Sequence, residues 1–222
     1  MPLRVQYGGT FDPVHNGHLA VATAARDALD ADIWLMPAHD PPHKGPTSAT
    51  ARQRACMLEL AVQDQPRLQL DDRELRRDGP SWTIDTLREL RGELGPQAPL
   101  AILIGADSFL QLPTWRDWQA LTGFAHIVIA ERPGHPIPVD ALPAPLQVFA
   151  AGRWLCDAPS LQANPAGGLY RLALPLRPES ATAIRHRIAD GRPWQQDVPA
   201  AVAEYIVRHG LYRSRHAEAA SL

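Results

Sequence analysis

The chain has 222 residues, 45% of them hydrophobic and 21% charged, which is ordinary for a globular protein long enough to bury a core. A formal net charge of −2 provides no strongly basic field, so neither nucleic acid nor an anionic membrane surface is expected as a partner. No stretch approaches the roughly 18 apolar residues of a membrane span, and no signal segment precedes the first strand, so we expect a cytoplasmic protein.

Strands and helices are predicted to alternate along the first half of the chain. Nearly continuous apolar runs are typical of strands covered on both faces, and Thr50 with Gln53 forms a capping box before a helix. In chain order, the predicted elements are the strand Leu3–Tyr7, the helix Gly17–Leu29, the strand Asp32–Met36, a helix from about Ala51, the strand Leu68–Leu70 and a helix capped by Ser81 that runs to Leu94.

The second half continues the alternation less regularly. We expect a long surface connection at residues 132–145, and residues 153–168 show no clear regular structure. The predicted elements are the strand Leu100–Ile104, a tryptophan-rich helical patch at residues 115–121, the strand His126–Ala130, a strand at Tyr170–Leu174, a helix from Ser180 to about Ala189 and a helix from Pro199 to Gly210.

This alternation predicts an α/β fold with a doubly wound parallel sheet. We expect a core at residues 1–178, a small C-terminal helical part of the same domain at 179–213 and a frayed tail at 214–222. Polar loops follow the first, second, fourth and last strands. They should all leave the same edge of the sheet, where such folds bind ligands.

The segment after the first strand carries the clearest chemistry. Gly8 and Gly9 permit a tight turn, Thr10 offers a hydroxyl, and His15 and His18 lie three residues apart across a helix start. Backbone N–H groups, a positive helix end and two imidazoles suit phosphate. The glycine spacing fits neither a Walker A loop nor a dinucleotide fingerprint, and a metal site would need more ligands. An isolated histidine pair could also be structural.

The string from Gly8 to His18 resembles the signature of nucleotidyltransferases with an H-x-G-H motif, and more closely that of the bacterial nicotinate-nucleotide adenylyltransferase family. The ordered set of matches covers most of the chain and is specific to that family. Its other members are Pro41–Lys44, Ser81–Leu87, Gly105–Ser108, Trp115, Arg132–Gly134, Ser180–Arg185, Val198-Pro199, Tyr205-Ile206 and Leu211-Tyr212.

The resemblance implies a Rossmann-like nucleotidyltransferase that transfers the adenylyl group of ATP to nicotinate mononucleotide, with Mg²⁺ accompanying ATP. The implied catalytic residues are His15, His18, Lys44 and Arg185. The implied ATP site comprises Gly8, Gly9, Thr10, Phe11, His15, His18, Gly105, Asp107, Ser180, Thr182 and Arg185. Glu179, just before this last group, stands where the family usually has an apolar residue.

The pyridine nucleotide is implied to contact His39, Lys44, Trp82, Thr83 and Trp115, with Trp115 as a stacking platform and backbone donors around Thr83 for a carboxylate. Asp107 follows the fourth strand, where a carboxylate can meet a ribose or Mg²⁺, although it could equally cap the next helix. Lys44 could also be a solvated surface residue.

Several rival functions stay open at this point. The acceptor could be nicotinamide mononucleotide, or both mononucleotides. Pantetheine-phosphate adenylyltransferase shares the first motif, but is expected to be shorter and to lack the Ser81–Thr83 and Trp115 features. A non-catalytic nucleotide-binding module would not require both histidines, Lys44 and Arg185. The protein is expected to be a monomer or a homodimer.

Overall fold

The computed structural model describes residues 1–39, 47–77, 79–131, 137–173 and 177–213. The strands are β1 (Arg4–Gly9), β2 (Asp32–Pro37), β3 (Leu68–Leu70), β4 (Leu100–Gly105), β5 (His126–Glu131) and β6 (Leu169–Ala173). The α-helices are α1 (Asn16–Leu29), α2 (Ala51–Val62), α3 (Thr83–Leu94), α4 (Ala106–Leu110), α5 (Ala144–Ala150), α6 (Pro159–Ala163), α7 (Ala181–Ala189) and α8 (Ala200–Arg208). Short 3₁₀ helices lie at Arg73–Arg76, Leu112–Thr114, Trp118–Gly123, Val139–Ala141 and Gln195–Asp197.

The six strands form one parallel sheet in the order β3-β2-β1-β4-β5-β6. The chain moves outward from β1 to β3, returns to β4 beside β1, and then continues outward to β6. The switch point between β1 and β4 therefore opens a crevice at the carboxyl ends of these two strands. This confirms the predicted doubly wound α/β fold, in which the loops after β1, β2, β4 and β6 leave the same edge.

Each face of the sheet is covered by its own apolar core, because successive strand residues point to opposite faces. In β4, Ala101 and Leu103 belong to one core, whereas Leu100 and Ile102 belong to the other. The first core also contains Ile184 of α7, and residues of α8 and α1. The second contains residues of α3, α4 and α5. The C-terminal helices therefore pack on the same sheet as the N-terminal strands, while the boundary at residue 178 stays a prediction.

Several local predictions were wrong or incomplete. Ser81 does not cap α3, which begins at Thr83 with Trp82 as its N-cap residue. The Ser81 hydroxyl instead accepts a hydrogen bond from the backbone N–H of His39 at 3.1 Å. The tryptophan-rich patch is not α-helical, because two short 3₁₀ helices flank Trp115.

Regular structure also occurs where none was predicted. The expected surface connection at residues 132–145 contains the 3₁₀ helix Val139–Ala141 and the start of α5, and residues 153–168 contain α6. These helices are only three to seven residues long, which is too short for a periodic pattern to announce them. Residues 132–136, Leu174 and the predicted tail at 214–222 lie outside the described residues. Among the described helices, none combines the length and apolar character needed to cross a membrane.

Candidate active site at the carboxyl edge of the sheet

A cavity of about 330 Å³ opens at the switch point between β1 and β4. Its lining includes seven residues that sequence reasoning assigned to the site: Gly8, Gly9, Thr10, Trp82, Thr83, Gly105 and Trp115. The ends of the two central strands thus share one cavity with the start of α3 and with Trp115, which lies between two short 3₁₀ helices. We call the part formed by Trp82, Thr83 and Trp115 the pyridine side, after the ligand that the sequence resemblance implies for these residues.

The two histidines of the H-x-G-H motif lie next to this cavity, at the start of α1. His15 is the N-cap residue, and its backbone N–H donates to Nδ1 of His18 at 3.3 Å. The two rings are stacked, with centroids 3.6 Å apart. His18 is 6.4 Å from the ring of Tyr7, which lines the cavity. The helix N-terminus and both imidazoles therefore face one small volume beside the cavity.

The packing of the first histidine leaves little room for a side chain at position 17. A Cβ at Gly17 would lie 3.0 Å from Nδ1 of His15, so any larger residue would displace the ring. Phe11 supports the pair from the other side, because its buried ring contacts His18 edge-on at 4.9 Å. Because the side chain of Phe11 is enclosed, only its backbone could serve the predicted ATP-binding role.

The electrostatics of His15 follow from its burial, with only 6% of the residue exposed. Burial lowers the pKa of His15 to about 4, and the negative charges of Glu179 and Asp197 act in the opposite direction. The ring is therefore neutral near pH 7 in the structure as it stands. An anion placed against it would favour its charged form.

The start of α7 is tied to the loop that precedes the histidines. Arg185 donates from Nη1 to the carbonyl of Asp12 at 2.7 Å and from Nη2 to the hydroxyl of Thr182 at 3.3 Å. Ser180 caps the helix, because its hydroxyl accepts from the N–H of Ala183. Ser180 and Thr182 are exposed. We call His15, His18, Ser180, Thr182 and Arg185 together the phosphate side.

Two buried polar residues that sequence reasoning did not assign to the site hold these loops in place. Arg54 is fully buried, and it donates to the carbonyls of Thr10 at 2.8 Å and His39 at 3.1 Å. It therefore joins the loops that follow β1 and β2. The burial of this guanidinium lowers its pKa, while the charge of Asp12 raises it.

Asp12 is the other such residue. Its carboxylate accepts from the backbone N–H groups of Ser48 and Ala49, at 2.7 and 3.1 Å, and from the hydroxyl of Tyr212 at 2.8 Å. Burial raises the pKa of Tyr212, with the charge of Asp12 acting in the same direction. Two features of the sequence could have pointed to these residues. Asp12 lies inside the first motif, and Arg54 is a charged residue within the apolar stretch of α2.

The chain is similar to known proteins along most of its length. Residues 6–187 match the cytidylyltransferase-like family model. The chain is 55% identical over 219 residues to "Probable nicotinate-nucleotide adenylyltransferase" of Stenotrophomonas maltophilia (strain K279a), a match that covers 96% of this chain and 98% of the relative. It is 45% identical over 217 residues to the protein of the same name from Marinobacter nauticus, with 97% and 99% covered. The chain belongs to the nicotinate-nucleotide adenylyltransferase family.

The fold is also that of a solved adenylyltransferase. The structure described as "Plasmodium falciparum nicotinic acid mononucleotide adenylyltransferase complexed with NaAD" matches with a TM-score of 0.71. The match covers 96% of this chain and 98% of that one at 18% identity, so it bears on the fold alone. Membership of the nicotinate-nucleotide adenylyltransferase family confirms the resemblance drawn from the motifs.

Besides Phe11, three residues carried over from the nicotinate-nucleotide adenylyltransferase family belong neither to the cavity lining nor to the phosphate side as the described residues define them. Lys44 lies outside the described residues, with the rest of 40–46. Asp107 is exposed in the first turn of α4, one residue from Ser108 in the cavity lining, and caps no helix because Gly105 is the N-cap residue there. His39 follows the cavity-lining Ala38, with its backbone held by Ser81 and Arg54.

Proposed function

We propose that this protein transfers the adenylyl group of ATP to nicotinate mononucleotide, giving nicotinate adenine dinucleotide and pyrophosphate in NAD biosynthesis. The observation that carries the proposal is the single cavity in which the glycine end of β1 meets Trp82, Thr83 and Trp115. The same edge of the sheet thus offers a place for a nucleotide phosphate and an aromatic pocket for a pyridine ring. Full-length relatives with this activity in their names support the assignment.

The phosphate side would act by alignment and charge neutralisation. An oxygen of the mononucleotide phosphate forms a new bond to the α-phosphorus of ATP, and the bond from that phosphorus to the oxygen of the departing pyrophosphate breaks. Because the nucleophile is already an anion, the step needs no general base. His15 and His18 would donate to the oxygens on which negative charge grows, and the N-terminus of α1 adds its positive end.

Arg185, Ser180 and Thr182 would hold the triphosphate at the start of α7. Arg185 already donates to the Asp12 carbonyl, so its guanidinium is positioned against the loop that carries the histidines. Its remaining N–H groups can bind phosphate in a forked geometry that a lysine would not provide. Lys44 would contribute a second positive charge from the loop after β2.

The pyridine side would select the acid over the amide. Trp115 and Trp82 line the cavity with aromatic surface on which a pyridine ring can stack. The first N–H groups of α3 follow Trp82, and among the described residues no side chain caps this helix. A nicotinate carboxylate at the N-terminus of α3 would accept these hydrogen bonds and be favoured by the helix dipole, whereas a neutral carboxamide gains less.

Mg²⁺ is proposed to enter as part of the ATP substrate. It typically retains several waters and needs only one or two protein carboxylates beside the phosphates, and the exposed carboxylate of Asp107 meets that requirement. Among the described residues, no cluster of three or more potential metal ligands occurs. We propose a cytoplasmic setting, where ATP and mononucleotides are present. The monomeric or homodimeric state stays a prediction.

The activity is tested by incubating the purified chain with ATP and Mg²⁺, together with nicotinate mononucleotide or nicotinamide mononucleotide in separate reactions. We expect pyrophosphate release that depends on the acceptor, and a dinucleotide product identified by mass spectrometry. Formation of neither product would leave the chain as a nucleotide-binding module and overturn the proposal. 4′-Phosphopantetheine as a third acceptor should give no pyrophosphate.

A further inference from the structure

Two buried polar atoms beside the H-x-G-H motif are left unpaired. Nδ1 of His15 and Oε2 of Glu179 are both enclosed, and neither has a hydrogen-bond partner among the described residues. Buried polar atoms are normally satisfied, so each unpaired one needs an explanation, and a role in catalysis is one of those known. Here one atom belongs to a ring that can donate a proton, and the other to a carboxylate that can accept it.

The two side chains approach the same point on α1. A Cβ placed at Gly17 would lie 3.0 Å from Nδ1 of His15 and 3.4 Å from the Cβ of Glu179. The absence of a side chain at Gly17 therefore leaves the histidine ring and the glutamate next to each other. Because glutamate side chains populate several staggered rotamers, rotation about the χ angles of Glu179 can turn its carboxylate toward Nδ1.

We propose that Glu179 is a positioning residue for His15, whose carboxylate accepts a hydrogen bond from Nδ1 when the phosphates of ATP lie against the ring. The ring then carries a proton on both nitrogens, with one anion on each side of it. This inference rests on the proposed function, because it assigns the phosphates of ATP to the neighbourhood of His15.

The other charged groups around His15 are already engaged. Asp197, which also acts on His15, is in an ion pair with Arg187. The carboxylate of Asp12 is occupied by Ser48, Ala49 and Tyr212, and Arg185 binds its carbonyl. The remaining neighbour, His18, is stacked on the ring. Of the carboxylates near His15 in the part of the chain that the structure describes, Glu179 is the one with an enclosed, unpaired oxygen. Its charge also opposes the lowering of the His15 pKa by burial more strongly than the charge of Asp197 does.

The test compares the full chain with Glu179→Gln and Glu179→Asp, using the exposed Glu59→Gln as a variant with the same loss of charge elsewhere. The His15 ring is followed by NMR as a function of pH, first alone and then with ATP and no acceptor, so that no turnover occurs. The pH dependence of kcat/KM for ATP is measured in parallel. Thermal melting verifies that each variant is folded.

We expect the His15 midpoint in the ATP complex to fall by roughly one pH unit in Glu179→Gln, because one of its two anionic partners is lost. The basic limb of the kcat/KM profile should move to lower pH by a similar amount, Glu179→Asp should recover part of the shift, and Glu59→Gln should behave as wild type. An unchanged His15 midpoint in a folded Glu179→Gln protein overturns the inference, as does a lower kcat/KM with an unmoved pH profile. Failure of the proposed function is recognised separately, since the wild-type chain would then release no pyrophosphate while its His15 titration remained measurable.

Discussion

The phosphate side and the pyridine side of the site are built in opposite ways. The phosphate side gathers residues from both ends of the chain and holds them with long-range polar contacts, such as the partly buried hydrogen bond from Arg185 to the Asp12 carbonyl, 173 positions away in sequence. The pyridine side uses two neighbouring residues at the start of α3 together with Trp115, and it opens directly into a cavity.

This difference separates chemistry from selectivity. A group that stabilises charge in a transition state must be fixed before the substrate arrives, and buried hydrogen bonds achieve this. A ring-binding surface needs only shape, an aromatic face and a few donors. Substitutions on the phosphate side should therefore reduce turnover for every acceptor, whereas those on the pyridine side should change which acceptor is used and how tightly.

The largest effect is expected for His18→Ala. Removing this donor should lower kcat by about 10²–10³-fold with either mononucleotide, because a contact to the developing charge is lost. The ring is half-buried, so the fold should persist, and circular dichroism with thermal melting verifies this. Full turnover in the folded variant would remove His18 from the mechanism and weaken the contrast between the two sides.

Arg54→Met tests whether this buried side chain holds the loops that follow β1 and β2, the first of which leads into the histidines of the phosphate side. The substitution leaves the carbonyls of Thr10 and His39 without their donor, and we expect the free energy of unfolding to fall by about 3 kcal/mol. The exposed Arg52 on the same helix is the matched control, and Arg52→Met should change stability by less than about 0.5 kcal/mol. Urea denaturation measures both; equal effects would show that the buried contacts are not what holds the loops.

The pH dependence of stability offers a measurement that needs no substrate. His15 has its pKa lowered to about 4, from an unfolded value near 6.5, so the unfolded chain binds more protons between these values. The contribution of His15 to the free energy of unfolding should be complete above about pH 6.5 and should decrease as the pH falls toward 4.

Because the pKa of buried His126 is also lowered, the contribution of His15 is isolated by comparison with His15→Gln. As the pH falls from 6.5 to 4, the free energy of unfolding of His15→Gln should decrease by about 2–3 kcal/mol less than that of the wild type. Urea denaturation at each pH measures this difference. Identical curves for the two proteins would mean that the His15 ring is not enclosed in the folded protein.

The smallest effect is expected on the pyridine side. Trp115→Ala should raise KM for nicotinate mononucleotide by about tenfold through the loss of a stacking surface, with KM for ATP changed by less than about twofold. Trp118 packs on Phe149 instead, with ring centroids 5.0 Å apart, so Trp118→Ala should affect stability but not KM. A parallel rise in KM for ATP in Trp115→Ala would contradict the division into two sides.

Much of this site could be predicted from the sequence, because its signals are local. The histidines at the start of α1 and the Ser180 cap of α7 depend on neighbouring residues, and the structure has them as predicted. The predicted turn at Gly8 and Gly9 was wrong, because both glycines pair with β2 as the last residues of β1. The alternation of strands and helices was enough to predict that their loops share one edge.

The supporting contacts could not be predicted in the same way. Arg54 lies among apolar residues of α2, and nothing nearby in sequence indicates that its partners are the carbonyls of two loops. Ser81 looked like a helix cap because capping is decided locally, yet its hydroxyl is used by His39, 42 positions away. Such long-range polar contacts depend on the assembled fold, which a local sequence pattern does not reveal.

The central claim is that the phosphate side performs adenylyl transfer while the pyridine side selects a nicotinate acceptor. The most direct test is a competition in which ATP and Mg²⁺ are supplied with nicotinate mononucleotide and nicotinamide mononucleotide at equal concentration, and both dinucleotides are quantified by mass spectrometry. We predict that nicotinate adenine dinucleotide dominates and that pyrophosphate equals total dinucleotide. A product that is mainly the amide dinucleotide would contradict the assigned selectivity, and the absence of both dinucleotides would contradict the chemistry.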